Sequence, residues 1–200
     1  MTRTNTTRSI EMKRLILGSG SPRRRELLAG LNLDFTVDKE NNFDEGPEPG
    51  VDARRIPLDM AVGKSLGFHR PLGPDEVLLT ADTVVIVDGK VLGKPHSRQE
   101  ASRMLHLLSG RSHEVVTAVV IRDALRQESF TDSTRVDFLP LSEEQIDYYI
   151  DNYKPFDKAG AYGVQEWIGY VGISGICGSF YNVMGLPVHK VAAALKDFLG

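Results

Sequence analysis

Cysteine is almost absent from this chain: Cys177 stands alone among 200 residues. No intrachain disulfide can form, no Cys/His cluster at zinc spacing is present, and a disulfide-stapled scaffold is excluded. That usage fits a reducing compartment. Long apolar runs are also missing. The stretches around residues 84–87 and 115–121 fall well short of the ~18 residues that mark a membrane-spanning helix, and the polar first fourteen residues contain no ~7–15-residue secretory core. The expectation is a cytoplasmic protein without a membrane partner. Excess charge of one sign is lacking too. Lys and Arg total 24 against 27 Asp and Glu, a net charge of −3, so no global positive field is available to hold a nucleic-acid backbone.

What is there is an ordinary folding chain. Hydrophobic residues make up 41%, and 19 glycines bring the apolar share to about half, which suits a folded domain rather than a disordered one. The length fits a single unit. Met12 followed by Lys13 offers a second start, so residues 1–12 read as an extension and residues 13–200 as the domain.

Residues 15–17 predict a short strand, broken by Gly18-Ser19-Gly20, before Ser21-Pro22 opens a helix with serine at the N-cap and proline at N1. A second short strand is expected over 34–37, a loop over 38–56 and a helix over 58–66. Residues 77–87 read as a long strand, and Asp88-Gly89 as a hairpin turn into residues 90–92. Ser97 and Glu100 predict a capping box for the next helix, with Met104, Leu105 and Leu108 on its apolar stripe. Paired strands follow over 114–122 and 128–139, then a capped helix over 142–152. Residues 155–181 read as irregular with short strands, and an amphipathic helix begins at Pro187. Hairpins and crossovers together imply an α/β or α+β fold with a mixed sheet.

Two features carry chemistry. The first is Gly18-Ser19-Gly20-Ser21-Pro22-Arg23-Arg24-Arg25, where small residues permit close backbone approach and a helix start aims free N–H groups outward. Three arginines at that end oppose the helix dipole by ~0.3–1 kcal/mol each, so they call for an anion, and a triphosphate fits. The plain alternative is a capped, solvated helix; the segment is not a Walker A loop. The second is Asp82, an acid inside the apolar run of residues 77–87, where an unpaired buried carboxylate would be heavily penalised. It should face a cleft, a metal or a cation, where it can ligate Mg²⁺ or take a proton from water; the alternative is an edge-strand residue facing solvent.

Lys94 sits on a stiff Gly-Lys-Pro turn, and Gln165 can offer both a donor and an acceptor to a base. Asp44, Glu45, Lys64, Asp157 and Lys158 taken singly read as solvated charges. His113 and His189 read as structural, and Trp167, Tyr170, Phe180 and Tyr181 as packing residues.

The ordered series Ser19-Gly20-Ser21-Pro22-Arg23-Arg24, Ala81-Asp82-Thr83-Val84-Val85, Gly93-Lys94-Pro95, Leu108-Ser109-Gly110, the segment from Asp157-Lys158-Ala159 to Gly163-Val164-Gln165, and Gly178 to Pro187 resembles the Maf family of nucleoside triphosphate pyrophosphatases. The resemblance covers nearly everything after residue 13. It implies a two-lobed α/β fold of the Maf/ITPase-like kind, a mixed sheet with flanking helices and a central cleft, and hydrolysis of a nucleoside triphosphate to its monophosphate and pyrophosphate. It also implies a divalent cation, Mg²⁺ or Mn²⁺, and, by analogy, a homodimer.

Matched by motif, Asp82 is similar to the family's proton acceptor and metal ligand, with Glu45 as a further metal ligand. Arg23, Thr83 and Gln165 fall at positions linked to substrate choice. Ser19, Arg24, Lys64, Lys94 and Asp157 fall at positions that line the site. The form of the segment ending in Gln165 is similar to the subgroup acting on dTTP and UTP, with one departure: Glu166-Trp167 follows where many relatives have Gly. A rival expectation is a nucleotide-binding regulator of septum formation that needs no general base. A nucleic-acid binder using Arg23, Arg24 and Arg25 is a third.

Overall fold

The computed structural model describes residues 13–44, 46 and 50–199. The extension at residues 1–12 and Glu45 therefore lie outside the described residues.

Strand β1 (Arg14–Leu17) leads through residues 18–21 into helix α1 (Pro22–Ala29), then β2 (Phe35–Val37) and α2 (Ile56–Leu66). The long strand β3 (Glu76–Val87) turns through Asp88 and Gly89, both with positive φ, into β4 (Lys90–Leu92). That is the backbone a two-residue hairpin demands. Helix α3 (Arg98–Leu108), β5 (Ser112–Arg122), β6 (Gln127–Phe138) and α4 (Glu143–Tyr153) follow. Two single 3₁₀ turns (Pro155–Asp157 and Ala159–Ala161) precede α5 (Trp167–Gly172), β7 (Ile173–Cys177), α6 (Phe180–Met184) and α7 (Val188–Leu199).

One seven-stranded sheet runs in the order β2-β1-β3-β5-β6-β7, with β4 hydrogen-bonded to β3 off that path. β2, β1 and β3 are parallel; β4, β5, β6 and β7 join antiparallel to their neighbours. Alternation along β3 and β5 assigns side chains to two faces. Leu79, Ala81, Val85, Val115 and Val119 enter the main core with buried residues of α1, α3, α4 and α7. Val84, Ala118 and Val120 face the other way, toward α2. Helix α2 buries Pro57, Ala61 and Ser65, one residue per turn, and Thr80 donates its hydroxyl to the Ala61 carbonyl at 2.8 Å.

Pairing along β3 is uneven. β1 covers residues 76–79, ending where the Gly18 N–H donates to the Leu79 carbonyl, and β4 covers residues 85–87. Between them, residues 80–84 have β5 on one side and no described strand on the other.

Some local expectations are corrected. Glu100 is not half of a reciprocal box: Ser97 caps the Glu100 N–H, but the Glu100 carboxylate accepts from His96 N–H. The reciprocal box is formed in α4, between Ser142 and Gln145. Residues 155–181 hold one short helix, one strand and the start of a second helix where irregular chain with short strands is expected, because helices of five and six residues carry too little periodicity to register. Tyr170 is 84% exposed and is not a packing residue, while Phe180 and Tyr181 are about half-buried and meet each other edge-on. Trp167 does pack, edge-on against Tyr148.

Candidate active site

The gap beside residues 80–84 opens into a cleft of about 1000 Å³. Ser19, Arg23, Arg24, Lys64, Asp82, Thr83, Lys94, Asp157 and Gln165 all line it, although they come from widely separated parts of the chain. Of the residues singled out from the sequence, only Glu45 falls outside the described residues.

The first wall is regular. Gly18 is held so tightly that a Cβ there would meet the Thr80 side chain at 2.9 Å, so its small size serves packing against β3. Ser21 caps α1 by accepting from Arg24 N–H. Arg24 then folds back over its own loop: its guanidinium donates to the Gly185 carbonyl at 2.9 Å, to Thr83 Oγ1 at 2.9 Å and to Ser19 Oγ at 3.4 Å. Thr83 is itself paired with Thr117 across β3 and β5 at 2.9 Å, and Thr117 donates to the Asn182 carbonyl at 3.1 Å. Asn182 is fully buried and anchors α6 to Val115 and Thr134. Arg23 reaches over to Asp157, Nη1 to Oδ2 at 2.6 Å. Part of the counter-charge that the arginines call for is thus supplied from within the protein.

Successive residues Asp82 and Thr83 point to opposite faces of β3, and the missing neighbour strand lets both reach the cleft. Asp82 faces α2, where Lys64 Nζ donates to its Oδ1 at 2.6 Å. The pair is mostly shielded, with side chains 15% and 18% exposed, which fixes the carboxylate's direction. The acid in the apolar run is neither solvated nor stranded.

The second wall, residues 157–165, is irregular. Gly160 and Ala161 are consecutive residues with φ of 68° and 60°. A left-handed alanine costs roughly 1–2 kcal/mol and survives only where its surroundings leave no alternative. Here Ala161 is fully buried and a Cβ at Gly160 would strike Val85 at 2.9 Å. Asp157 would be pushed up by burial, yet hydrogen bonds from Lys158 and Arg23 and their charges hold it down at about 2. His113 lies 2.7 Å from the Tyr162 hydroxyl, and burial pushes its imidazole down to about 4, so it stays neutral. Gln165 Oε1 is buried against the cleft with no hydrogen-bond partner. On the rim, Lys94 is exposed and bonded to nothing among the described residues.

Several lining residues carry no sequence signal. Lys39 and Asn41 come from the loop after β2, and Asn41 donates to the Lys64 carbonyl at 2.6 Å. Met104 and Glu100 come from α3. A polar loop residue beside a charged one looks like any solvated loop, and an apolar helix stripe looks like core; only the tertiary contact distinguishes them.

The cleft offers one carboxylate poised on a shielded lysine, a basic rim and a buried amide oxygen. That set can receive a polyanion at one end and a polar heterocycle at the other. Among the described residues no group of three or more His, Cys, Asp or Glu side chains is placed to cage a metal ion. Mg²⁺ normally takes only one or two carboxylates together with substrate phosphate, and Asp82 meets that requirement. No helix among the described residues is long and apolar enough to cross a membrane.

Known proteins resemble this chain in sequence and in fold. The dTTP/UTP pyrophosphatase of Porphyromonas gingivalis is 48% identical over 192 residues, covering 95% of this chain and 96% of its own. That of Phocaeicola vulgatus is 47% identical over 188 residues, covering 94% and 97%. Among solved structures, the Staphylococcus aureus Ham1 protein superposes with a TM-score of 0.52 at 13% identity, covering 92% of this chain and 99% of its own, a likeness of fold. The family model for Maf-like proteins matches residues 14–198, and with near-full-length relatives close to half identical, the chain belongs to the Maf-like family.

Proposed function

We propose that this protein is a nucleoside triphosphate pyrophosphatase that hydrolyses dTTP and UTP. The observation that carries the reading is Asp82, an acid held by Lys64 at 2.6 Å in the floor of a cleft whose rim bears Arg23, Arg24 and Lys94. Its relatives' names supply the substrates.

The triphosphate lies along the first wall, with Arg24, Lys94 and the Arg23 N–H at the start of α1 on its oxygens, and the base against Gln165. Asp82 orients a water and takes its proton as the water oxygen bonds to the α-phosphorus. The α–β anhydride bond breaks, and pyrophosphate leaves with the electron pair. Lys64 keeps the carboxylate aimed. Positioning and a placed base account for the largest gains, proton transfer alone being worth ~10²–10⁴ in rate. Asp82 would also hold a divalent cation, Mg²⁺ or Mn²⁺, with substrate phosphate; when bound, it neutralises phosphate oxygens. Arg23 enters by leaving Asp157 for phosphate, and Thr83 acts through Arg24.

The same reading includes a cytoplasmic location, a homodimer, a domain spanning residues 13–200 and no nucleic-acid or membrane partner. Pyrophosphate release measured over dTTP, UTP, CTP, GTP and 7-methyl-GTP tests it. Release with dTTP and UTP is expected; nucleotide binding without release across that panel would replace the enzyme with a nucleotide-binding regulator.

A further inference from the structure

Glu166, which with Trp167 follows Gln165 where the resemblance leads one to expect glycine, is held at the centre of a largely buried polar chain. Tyr149, fully buried on α4, donates its hydroxyl to Glu166 Oε2 and accepts the Gly163 N–H at 2.9 Å. Glu166 Oε1 pairs with Lys158 Nζ at 3.1 Å. Lys158, 7% exposed, also holds Asp157 Oδ1 at 2.8 Å. The chain therefore ties both ends of the second wall to a helix that buries Ile146 and Ile150 in the core.

What it ties down needs holding. Gly160 and Ala161 keep left-handed backbone in the middle of this wall, and Gly163 has its Cα face pressed against the Glu166 side chain, where a Cβ would come within 2.8 Å. Gln165 sits between the pinned Gly163 and Glu166, with its Oε1 buried in the cleft and unmatched by any hydrogen bond. Burial raises the Tyr149 phenol far above its ordinary value, so it remains a donor to Glu166 across the working pH range.

We propose that Tyr149, Glu166 and Lys158 are positioning residues for nucleobase selectivity, fixing the backbone of residues 163–165 so that Gln165 meets the base edge at one distance and angle. The inference rests on the reading that the base lies against Gln165. A polar site rejects wrong partners strongly only when its groups are fixed, because a misplaced partner then strands a buried polar atom. A misplacement of ~1 Å can cost about 10²-fold. Asp82 and Lys64 are held by β3 and α2, so loosening the second wall leaves the proton-transfer apparatus in place.

The test compares kcat/KM for dTTP and dGTP in the full chain and in Tyr149→Phe, Glu166→Ala and Glu166→Gln, with amide exchange measured over residues 163–166. In Tyr149→Phe and Glu166→Ala the dTTP/dGTP ratio should fall by about tenfold or more, mainly through KM for dTTP, while exchange over 163–166 accelerates. Glu166→Gln keeps an acceptor for the tyrosine hydroxyl and should recover part of the ratio. A uniform loss on both nucleotides, or a lower melting temperature with the ratio unchanged, overturns the proposal, because a merely structural role predicts that pattern. If the wild-type chain hydrolyses neither nucleotide, the enzymatic reading fails by itself. The ratio of Kd for dTTP and dGTP across the same variants then decides the positioning role, an unchanged ratio overturning it. Should Glu166→Ala fail to fold, Tyr149→Phe and Glu166→Gln carry the comparison.

Discussion

The two walls of the cleft are built on opposite plans. The wall from Ser19 to Arg24 is a short loop and a capped helix start that follow strand β1, with Arg24 braced on Thr83 and the Gly185 carbonyl. The wall of residues 157–165 follows one 3₁₀ turn and contains another, with consecutive left-handed residues and a largely buried chain of side-chain bonds. Phosphate is the same in every nucleotide, so regular backbone and fixed cations can meet it. Bases differ, and on the proposed reading the irregular wall is the one that brings the Gln165 amide to them.

The comparison can be broken in several ways. The largest effect should come from the strand between the walls: Asp82→Asn is expected to lose ~10²–10⁴ in kcat while the chain still folds, and near-normal turnover would remove Asp82 from its role. At the first wall, Arg24→Met removes a charged hydrogen bond to phosphate worth ~1.5–3 kcal/mol, so KM for the triphosphate should rise about 10- to 150-fold; steady-state kinetics with an unchanged KM would sink the assignment.

The second wall should be the acid-sensitive one. Neutral His113 holds Tyr162, and its folded value of about 4 lies below the ordinary 6.5. Its contribution is complete above pH 6.5, because only below that pH does the unfolded chain bind a proton the folded chain refuses. Stability should therefore decline as pH falls from 6.5 to 4, by up to about 3 kcal/mol. Urea titrations across that range should show the slope in the wild type and a flatter one in His113→Gln. Smallest is a matched pair of glycines. Gly160→Ala forces a side chain into left-handed backbone against Val85 and should cost ~1–3 kcal/mol. In Gly20→Ala the new Cβ meets only Lys39 Cδ at 3.5 Å, and the change should stay within ~0.5 kcal/mol. Equal shifts in the two melting curves would contradict the difference in construction.

The same contrast explains what was legible in the chain. The first wall is written in local signals: Ser21-Pro22 at a helix start, the arginines behind it, and an acid inside the apolar run of β3. The resemblance to known motifs brought Lys64 and Asp157 into the site, where each taken alone reads as a solvated charge. Thr83 lines the cleft, but its hydroxyl is spent on Arg24 and Thr117, a cross-strand relation set by the register of β3 and β5. Tyr149 and Glu166 lie 17 residues apart and meet only because α4 packs against the loop that follows it. Nothing periodic marks such a pair. Helices α5 and α6 were hidden for a related reason, since their lengths are set by tertiary packing rather than by propensity.

The unpaired stretch of β3 has one further consequence. A bare strand edge ordinarily invites another chain to add a strand. Here the run without a described neighbour strand is five residues, roughly 17 Å at the usual rise, and it is closed at one end by the end of β1 and at the other by β4. An extended polypeptide cannot lie along it without running into those stops. The opening that makes the sheet useful is thus too short to make it sticky.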